Sequence, residues 1–493
     1  MILWLLILVP AVAGLVCLAG RGTAWRRGLQ AAAAGGHAGL VGLAWTTSPA
    51  PACGGWLALD RPGLFFLSIT SVLFLASTAY SLGYLRREVR HTRVRDFQEG
   101  FLFGNAPEGV FCGGLLLFLA AMTLVTVSHH FVLLWVGMEA TTLASAPLIY
   151  FHRHHRSLEA TWKYLLICSI GIGVALLGNL SLAVAGRWTQ EARVPLVLDV
   201  LLRHADALNP AWVKAAFIFF LVGYGTKMGL APMHTWLPDA HSEAPSPVSA
   251  LLSGALLNCA FLGILRAHQV CVAAGLGGFS RELLLLFGLL SMGFAAFFVI
   301  NQRDYKRLLA YSSVEHMGIL AVGAGLGGAG TAGAMLHALN HSLCKGAAFL
   351  TAGTILSACQ TRAVRDVRGL LRSLPLTGRT WLAVFIALAG LPPFGMFLSE
   401  LLILKSALDR HAFLTAGLFL LFLAVVFIGM SRIMLRMAQG PPGPGTAPRT
   451  DAETPLTVIP VLVLLAAALL LGLWAPPALT RVLAEVASVA GGV

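Results

Sequence analysis

The chain has 493 residues, of which 57% are hydrophobic and only 11% are charged, and its mean hydropathy is +0.81. Soluble domains carry about 25% charged residues, so this composition excludes a soluble globular protein and indicates an integral membrane protein. The formal net charge is +13, and the placement of the basic residues decides whether nucleic acid or lipid balances it.

Apolar runs near or above the ~20 residues needed to cross a bilayer recur along the chain and predict fourteen transmembrane helices. The first run has no basic start, so it is interpreted as a spanning helix rather than a signal peptide. The boundaries between consecutive spans are least clear at 128/130 and 408/411. The predicted spans are 2–19, 29–46, 62–85, 110–128, 130–150, 158–186, 210–231, 246–270, 280–301, 306–326, 330–358, 380–408, 411–436 and 455–480.

The loops between these spans alternate in charge. One set holds 21 of the 34 Lys and Arg residues, in loops 20–28, 86–109, 151–157, 302–307, 359–379 and 432–454. The other set, with the C-terminal tail, holds Arg61, Arg187, Arg193, Arg203, Arg266, Arg281, Arg410 and Arg481. The positive-inside rule places the basic loops in the cytoplasm and both termini outside. The excess charge is therefore interpreted as anchoring at the lipid surface, and no nucleic acid partner is expected.

Two segments 161 residues apart read almost alike and are broken by Gly and Pro. The first, 229–239, begins Gly-Leu-Ala-Pro and follows Lys227, whereas the second, 390–400, begins Gly-Leu-Pro-Pro and ends with Glu400. A helix broken at membrane depth frees backbone polar groups, which is tolerated where protein or a wet cavity covers them. Paired broken segments point to a transport pathway, so the chain is predicted to move ions.

Lysines are scarce, and four of the six fall inside predicted spans: Lys163, Lys227, Lys345 and Lys405. A charge at membrane depth is costly and usually faces a cavity or a partner. An ammonium group can release its proton, whereas a guanidinium effectively cannot. Glu139 is the one acid of the fifth span and is predicted to pair with Lys227; the alternative is an ion pair with a purely structural role.

Three titratable residues of the eleventh span, His337, His341 and Lys345, are spaced i, i+4, i+8 and share one helix face. Because histidine titrates near neutral pH, this stripe predicts a proton relay; packing or a hydrogen bond to a neighbouring helix is the alternative. His234 follows the break at Pro232 and either lines the channel or packs against it.

No cofactor is expected in this chain. Its eight cysteines are scattered without CxxC spacing, which argues against iron–sulfur and zinc frameworks. The nucleotide-binding and HExxH motifs are also absent from the sequence, so no metal is expected. Any redox reaction that the chain serves is assigned to other subunits, and whether it counts as an enzyme is left open.

Several motifs carry a resemblance to a known superfamily. Residues 223–251, which include Lys227 and the Pro-Met-His-Thr-Trp-Leu-Pro-Asp-Ala stretch, resemble the signature of antiporter-like proton-channel subunits of respiratory complex I. Residues 304–313 resemble a second signature of a superfamily that also includes multisubunit Na⁺/H⁺ antiporters and membrane-bound group 4 nickel–iron hydrogenases. Residues 312–318 and 340–346 are most similar to the F component of hydrogenase 4. The resemblance covers about residues 110–440.

The resemblance implies an all-α membrane protein with fourteen helices. Spans 4–8 and 9–13 would form two inverted five-helix repeats, with discontinuous helices at spans 7 and 12. The implied units are an N-terminal three-helix segment at 1–109, an antiporter-like domain at 110–440 with repeats at 110–270 and 280–436, and a linker with a C-terminal helix at 441–493.

The resemblance also assigns roles to residues. Glu139 and Lys227 match an ion pair of the family, and Lys163 matches a lysine of the sixth span. The central relay corresponds to His337, His341 and Lys345, and the acidic exit residue to Glu400. One position departs from the pattern: Asn258 stands where several relatives carry a central lysine, and a neutral amide holds water but carries no proton charge.

The function implied is a proton-translocating membrane subunit of an energy-converting oxidoreductase, of the hydrogenase-4 or formate-hydrogenlyase type, in a bacterial or archaeal cytoplasmic membrane. Its partners would be other membrane subunits, a hydrophilic redox arm, the bilayer and protons. A first alternative is a subunit of a multisubunit Na⁺/H⁺ antiporter, with Glu139, Glu315 and Glu400 as candidate oxygen ligands. A second is a structural subunit that does not pump, which Asn258 favours.

Overall fold

The computed structural model describes residues 1–88, 94–95, 102–186, 194–442 and 452–491, and these are mostly helical. Within these ranges twenty α-helices follow one another along the chain. They are α1 Ile2–Ala19, α2 Ala24–Thr47, α3 Arg61–Glu88, α4 Glu108–Val127, α5 Phe131–Ile149, α6 His155–Ala185, α7 Leu198–Arg203, α8 Pro210–Met228, α9 Trp236–Glu243, α10 Ser246–Leu251, α11 Leu257–Ala273, α12 Gly277–Val299, α13 Tyr305–Leu326, α14 Ala329–Cys359, α15 Leu370–Ser373, α16 Pro375–Leu388, α17 Gly395–Asp409, α18 Phe413–Ala438, α19 Pro455–Leu473 and α20 Pro477–Gly491.

The remaining regular elements are short. A π-helix, Leu252–Leu256, joins α10 to α11 without a break in the helical path. Two-residue strands, β1 Val94–Arg95 and β2 Leu102–Phe103, pair antiparallel. Single 3₁₀ turns lie at Cys53–Gly55, Tyr150–His152, Ala205–Ala207 and Met233–Thr235.

Each of the fourteen predicted spans coincides with one helix or with a pair of helices, and the divisions at 128/130 and 408/411 are confirmed. Eleven helices of the described ranges are long and apolar enough to cross a membrane. Three predicted spans do not meet this criterion of length and hydropathy, and their sequences explain why. Helix α2 is rich in glycine and alanine, α13 carries buried serine, glutamate and histidine side chains, and the twelfth span divides into α16 and α17. The count of fourteen is therefore not established.

The predicted basic loops meet on one face of the helical bundle. Arg27 pairs with Glu108 at 2.6 Å, and the backbone N–H of Ala106 donates to the carbonyl of Phe151 at 2.7 Å. Further along this face, Asp304 and Ala363 form a β-bridge. Two basic residues of the predicted 86–109 loop, at positions 90 and 93, lie outside the described residues. The observed contacts agree with the prediction that these loops share one side.

The opposite face joins the other loops. Arg266 of α11 donates two hydrogen bonds to the Asp60 carboxylate at 3.0 and 3.1 Å. His129 lies 3.5 Å from Asp60, and Arg61 pairs with Glu485 of α20 at 2.9 Å. Although burial raises the pKa of Asp60, the charges of Arg266 and His129 outweigh it and hold that pKa below its usual range. The arginines predicted at positions 187 and 193 of this side lie outside the described residues.

The two broken segments share one backbone geometry. Gly229, directly after α8, has φ 84°, and Gly390, the second residue after α16, has φ 60°. A hydrogen bond from the N–H of Leu230 to the carbonyl of Gly225 has its counterpart, offset by the same 161 residues, in the bond from Leu391 to Ile386. Left-handed backbone of this kind favours glycine. The predicted discontinuities of spans seven and twelve are confirmed.

Helix α14 lies at the centre of the bundle. It packs against α13, α16, α17, α19 and the α10–α11 helix. Its inward residues include His337, His341 and Lys345, each fully buried. A polar stripe so placed can be satisfied only by other protein groups or by internal water, and α14 therefore positions the candidate site.

Candidate proton pathway

Lys227 lies in the last turn of α8, just before the first break, and is fully buried. Its ammonium group donates to Thr142 Oγ1 and to Tyr164 Oη, both at 2.7 Å. Tyr164 in turn shares a 2.7 Å hydrogen bond with Ser145. The ammonium group therefore sits in a pocket of hydroxyl groups supplied by α5 and α6.

Glu139 is half-buried on α5 and does not contact Lys227 directly. Its carboxylate accepts hydrogen bonds from Ser169 at 2.9 Å and from Thr142 Oγ1 at 3.4 Å. Among the described residues, the two charged groups do not form an ion pair. The predicted direct pair is thus corrected: Thr142, three residues along the helix from Glu139, places its hydroxyl between the two charges and connects them.

The predicted stripe on α14 makes hydrogen bonds along its length. Lys345 donates to the carbonyl of Leu309 at 2.9 Å and to the hydroxyl of Ser312, both on α13. His341 Nε2 lies 3.3 Å from the carbonyl of Ser253, in the π-helix. The predicted sharing of one helix face by the three residues is observed, and α13 and the π-helix provide the partners of Lys345 and His341.

A residue that was not among the predicted site residues completes the stripe. His316 of α13 places Nδ1 3.2 Å from Nε2 of His337, and the other ring nitrogen of His337 lies 2.9 Å from Ser399 Oγ. The His316 and His341 rings are also adjacent, with centroids 5.1 Å apart. The sequence signal that could have identified His316 was the Glu315-His316 pair within an apolar span, because two titratable residues at membrane depth indicate a function.

Glu400 brings a carboxylate to the same place. Its oxygen and the ring nitrogens of His316 and His337 lie within 4.8 Å of one another. This spacing could hold a metal ion. However, the two imidazoles are hydrogen-bonded to each other, and the ammonium group of Lys345 lies nearby. Both features suit proton transfer better than cation binding. Gly390 makes room for the carboxylate, since a Cβ atom there would overlap Glu400 Oε2.

Asn258 fills the space beside the centre of α14. Its amide donates to Ser342 Oγ at 2.7 Å and to the carbonyl of Gly254 at 3.0 Å. The preceding π-helix turns the chain so that Asn258 faces α14, and π-bulges of this kind often occur at functional sites. Asn258 thus links its own helical segment to Ser342 of α14.

The remaining predicted residues lie apart from these networks. Lys163 is 45% exposed and pairs with Glu159 at 2.6 Å and Asp239 at 3.1 Å. His234 is buried between the rings of Phe294 and Tyr311, and its Nδ1 has no hydrogen-bond partner in the described structure. Neither residue is hydrogen-bonded to Lys227 or to the stripe on α14.

Direct hydrogen bonds do not connect the Lys227 network to the α14 network within the described ranges. Several polar atoms near α14 are buried and unpaired with protein atoms: Asn258 Oδ1, Glu315 Oε2, His316 Nε2, Asn340 Oδ1 and His341 Nδ1. Internal water usually satisfies buried polar groups of this kind. The arrangement therefore suits proton transfer through side chains and water, starting and ending at titratable groups.

The chain matches, over residues 128–429, the family described as "NADH:quinone oxidoreductase/Mrp antiporter, TM". The chain belongs to this family. The matched region begins before α5 and ends within α18, so it includes both breaks and the titratable residues of the candidate pathway from Glu139 to Glu400.

A relative supports the predicted resemblance to the hydrogenase branch. The chain is 38% identical over 369 residues to the hydrogenase-4 component F homolog of Methylacidiphilum infernorum (isolate V4), an alignment that covers 74% of this chain and 75% of that one. The expected similarity to the F component is confirmed by this match.

Solved structures show the same fold. A chain of the membrane-bound sulfane sulfur reductase, an archaeal respiratory membrane complex, superposes with a TM-score of 0.86 at 20% identity, covering 99% of this chain and 97% of that one. A chain of the Mrp complex from Dietzia sp. DQ12-45-1b superposes with a TM-score of 0.84, also at 20% identity and with the same coverage. Both neighbours are chains of multisubunit membrane complexes, and the all-helical, multi-pass membrane architecture is confirmed.

Proposed function

We propose that the chain is the proton-translocating membrane subunit of a hydrogenase-4-type oxidoreductase complex. The observation that carries this proposal is the buried group of His316, His337, His341 and Lys345, in which His316 and His337 lie 3.2 Å apart beside the Glu400 carboxylate. The match to a hydrogenase-4 component F homolog supports the choice of complex.

The route would begin at the Lys227 network. Glu139, partly exposed on α5, exchanges a proton with Lys227 through the Thr142 hydroxyl. Water beside Asn258 then carries the proton to the α14 stripe, and Glu400 releases it. Asn258 transmits protons by organising water, since its amide carries no proton charge of its own.

The redox chemistry would lie in other chains, with no cofactor held by this subunit. The face that carries the basic loops would be cytoplasmic, in a bacterial or archaeal cytoplasmic membrane. A hydrophilic redox arm would reach this subunit through its membrane neighbours.

A multisubunit Na⁺/H⁺ antiporter subunit is the second candidate, favoured by the description of the family, which includes the Mrp antiporter. Sodium prefers carboxylate and carbonyl oxygens. The described site instead surrounds Glu400 with imidazoles, which suits protons better.

Purification in mild detergent, followed by identification of co-purifying chains, tests the assignment to a complex. We expect hydrophilic redox subunits to be recovered. Recovery of small membrane subunits alone, with Na⁺-driven proton release in vesicles, would support the antiporter instead.

The substitution Lys227→Arg tests the protonation role within the assembled complex. Arginine retains the charge but effectively never releases a proton, so we expect redox-driven proton uptake to be lost while the complex still assembles. Pumping at the wild-type rate by this variant would exclude Lys227 as a proton carrier.

A further inference from the structure

A cleft of about 580 Å³ opens at the end of the bundle where the basic loops meet. Three parts of the chain surround it: the 300–304 connection between α12 and α13, the 362–365 segment after α14, and the last turns of α18. The first two are fixed to each other, because the N–H of Val364 donates to the carbonyl of Arg303 at 2.9 Å and Asp304 bridges to Ala363. The cleft therefore has a rigid backbone floor.

Arginine side chains dominate its lining. The five are Arg303, Arg362, Arg365, Arg432 and Arg436, and the acidic lining residue is Asp304. The carboxylate of Asp304 is already engaged, since it caps α13 and accepts a hydrogen bond from Ser242 at 2.6 Å.

Most of these positive charges are not neutralised within the described chain. Arg362 is held by Glu243 at 2.8 Å, and Arg365 makes an exposed pair with Asp366 at 3.4 Å, a kind of contact that contributes little. Within the described ranges, Arg303, Arg432 and Arg436 have no acidic partner. Like charges facing one cleft repel each other, so the cleft is suited to an anion that neutralises them.

The chemistry of the lining points to phosphate. Planar guanidinium groups donate paired hydrogen bonds that match phosphate oxygens. Arg432 and Arg436 are four residues apart on α18 and so project from the same face of that helix toward the cleft.

An apolar surface continues directly from the cleft along the side of the bundle. On α12, Phe297 is 75% exposed, and Ile300 at its end is 38% exposed. On the neighbouring α18, Ile428 is 64% exposed. These two helices pack closely there, because Gly429 leaves room for Val299 and Ile300. A soluble phosphate compound would make no use of this surface, whereas an acyl chain would cover it.

We propose that this arginine cleft binds the headgroup of an anionic phospholipid. The phosphate lies among Arg303, Arg432 and Arg436, and an acyl chain covers the exposed side of α12 and α18. The lipid neutralises the cleft and stabilises the contact between the 300–304 and 362–365 segments.

The experiment uses the purified complex in detergent, stripped of lipid and titrated with phosphatidylglycerol, with phosphatidylcholine and with inorganic phosphate. Bound lipid is counted by native mass spectrometry. Each arginine near the membrane surface contributes about fivefold in affinity for anionic lipid. We therefore expect the double variant Arg432→Gln/Arg436→Gln to bind phosphatidylglycerol about 25-fold more weakly. Arg368→Gln, an exposed arginine of the same face that does not line the cleft, is the matched control.

Tight binding of phosphatidylglycerol over phosphatidylcholine, lost in the double variant and kept in the control, supports the proposal. Four results overturn it. Three concern lipid: equal binding of both lipids, competition by inorganic phosphate at the concentration of the lipid, or unchanged binding in the double variant. The fourth concerns the protein subunits. Loss of a protein subunit from the double-variant complex would show that an acidic protein segment, rather than lipid, occupies the cleft.

Discussion

Replacing Thr142 with valine tests whether Lys227 and Glu139 communicate through a hydroxyl group. Valine keeps the branched shape of threonine but can neither accept the 2.7 Å hydrogen bond from Lys227 nor donate toward Glu139 at 3.4 Å. Lys227 would keep its bond to Tyr164 at 2.7 Å. The substitution therefore removes the observed link between the two charges while leaving the lysine partly satisfied.

The expected size of the effect follows from the bond that is lost. A hydrogen bond to a charged group contributes about 1.5–3 kcal/mol. If that free energy stabilises the transfer step, its loss slows the step by about tenfold to 150-fold. Assembly of the complex should be largely preserved, since the hydroxyl is exchanged for a methyl group of similar size.

The measurement is redox-driven proton uptake by the assembled complex in sealed vesicles, followed with a pH-sensitive dye, alongside electron transfer in the same sample. Thr142→Ser keeps the hydroxyl and should pump. Thr141→Val is a matched control, because the neighbouring Thr141 is equally buried but donates to the carbonyl of Met138 at 2.6 Å. Wild-type proton uptake by Thr142→Val would refute the bridging role.

Two further substitutions address other parts of the structure. Gly390→Ala places a methyl group against Glu400 at a left-handed position, so proton uptake should fall by about 100-fold, whereas Gly417→Ala, with open space around it, should pump normally. Asp60→Asn leaves a buried arginine unpaired and should destabilise the protein by about 3–5 kcal/mol, as measured by thermal unfolding. Because folding lowers the pKa of Asp60, its contribution to the stability of the folded protein should be present above about pH 4 and lost as the pH falls further. Equal sensitivity of wild type and variant to acid unfolding would contradict this.

Much of the fold was predictable because membrane helices leave a strong sequence pattern. Hydropathy placed the helices, and Gly and Pro at 229–239 and 390–400 located both breaks. Amphipathic α20 was missed, because its polar side chains interrupt the apolar run, and the sequence does not show that Glu485 of this helix meets Arg61.

The site was predictable where titratable residues recur at helical spacing, as on α14. It was not predictable where a residue's role depends on which helix it faces. Thr142 looks like an ordinary packing residue of an apolar span, and its role comes from the approach of Lys227. Lys163 shows the converse: periodicity does not reveal that its side chain is 45% exposed.

The matching backbone of the two breaks has a consequence for how such a chain can diversify. The hydrogen bonds at Leu230 and Leu391 correspond, yet Lys227 precedes the first break, whereas Leu388 stands at the equivalent position before the second. The scaffold that interrupts the helix is thus independent of the chemistry placed beside it. Exchange of a single side chain at either break could retune which ion is handled, without a need to rebuild the surrounding helices.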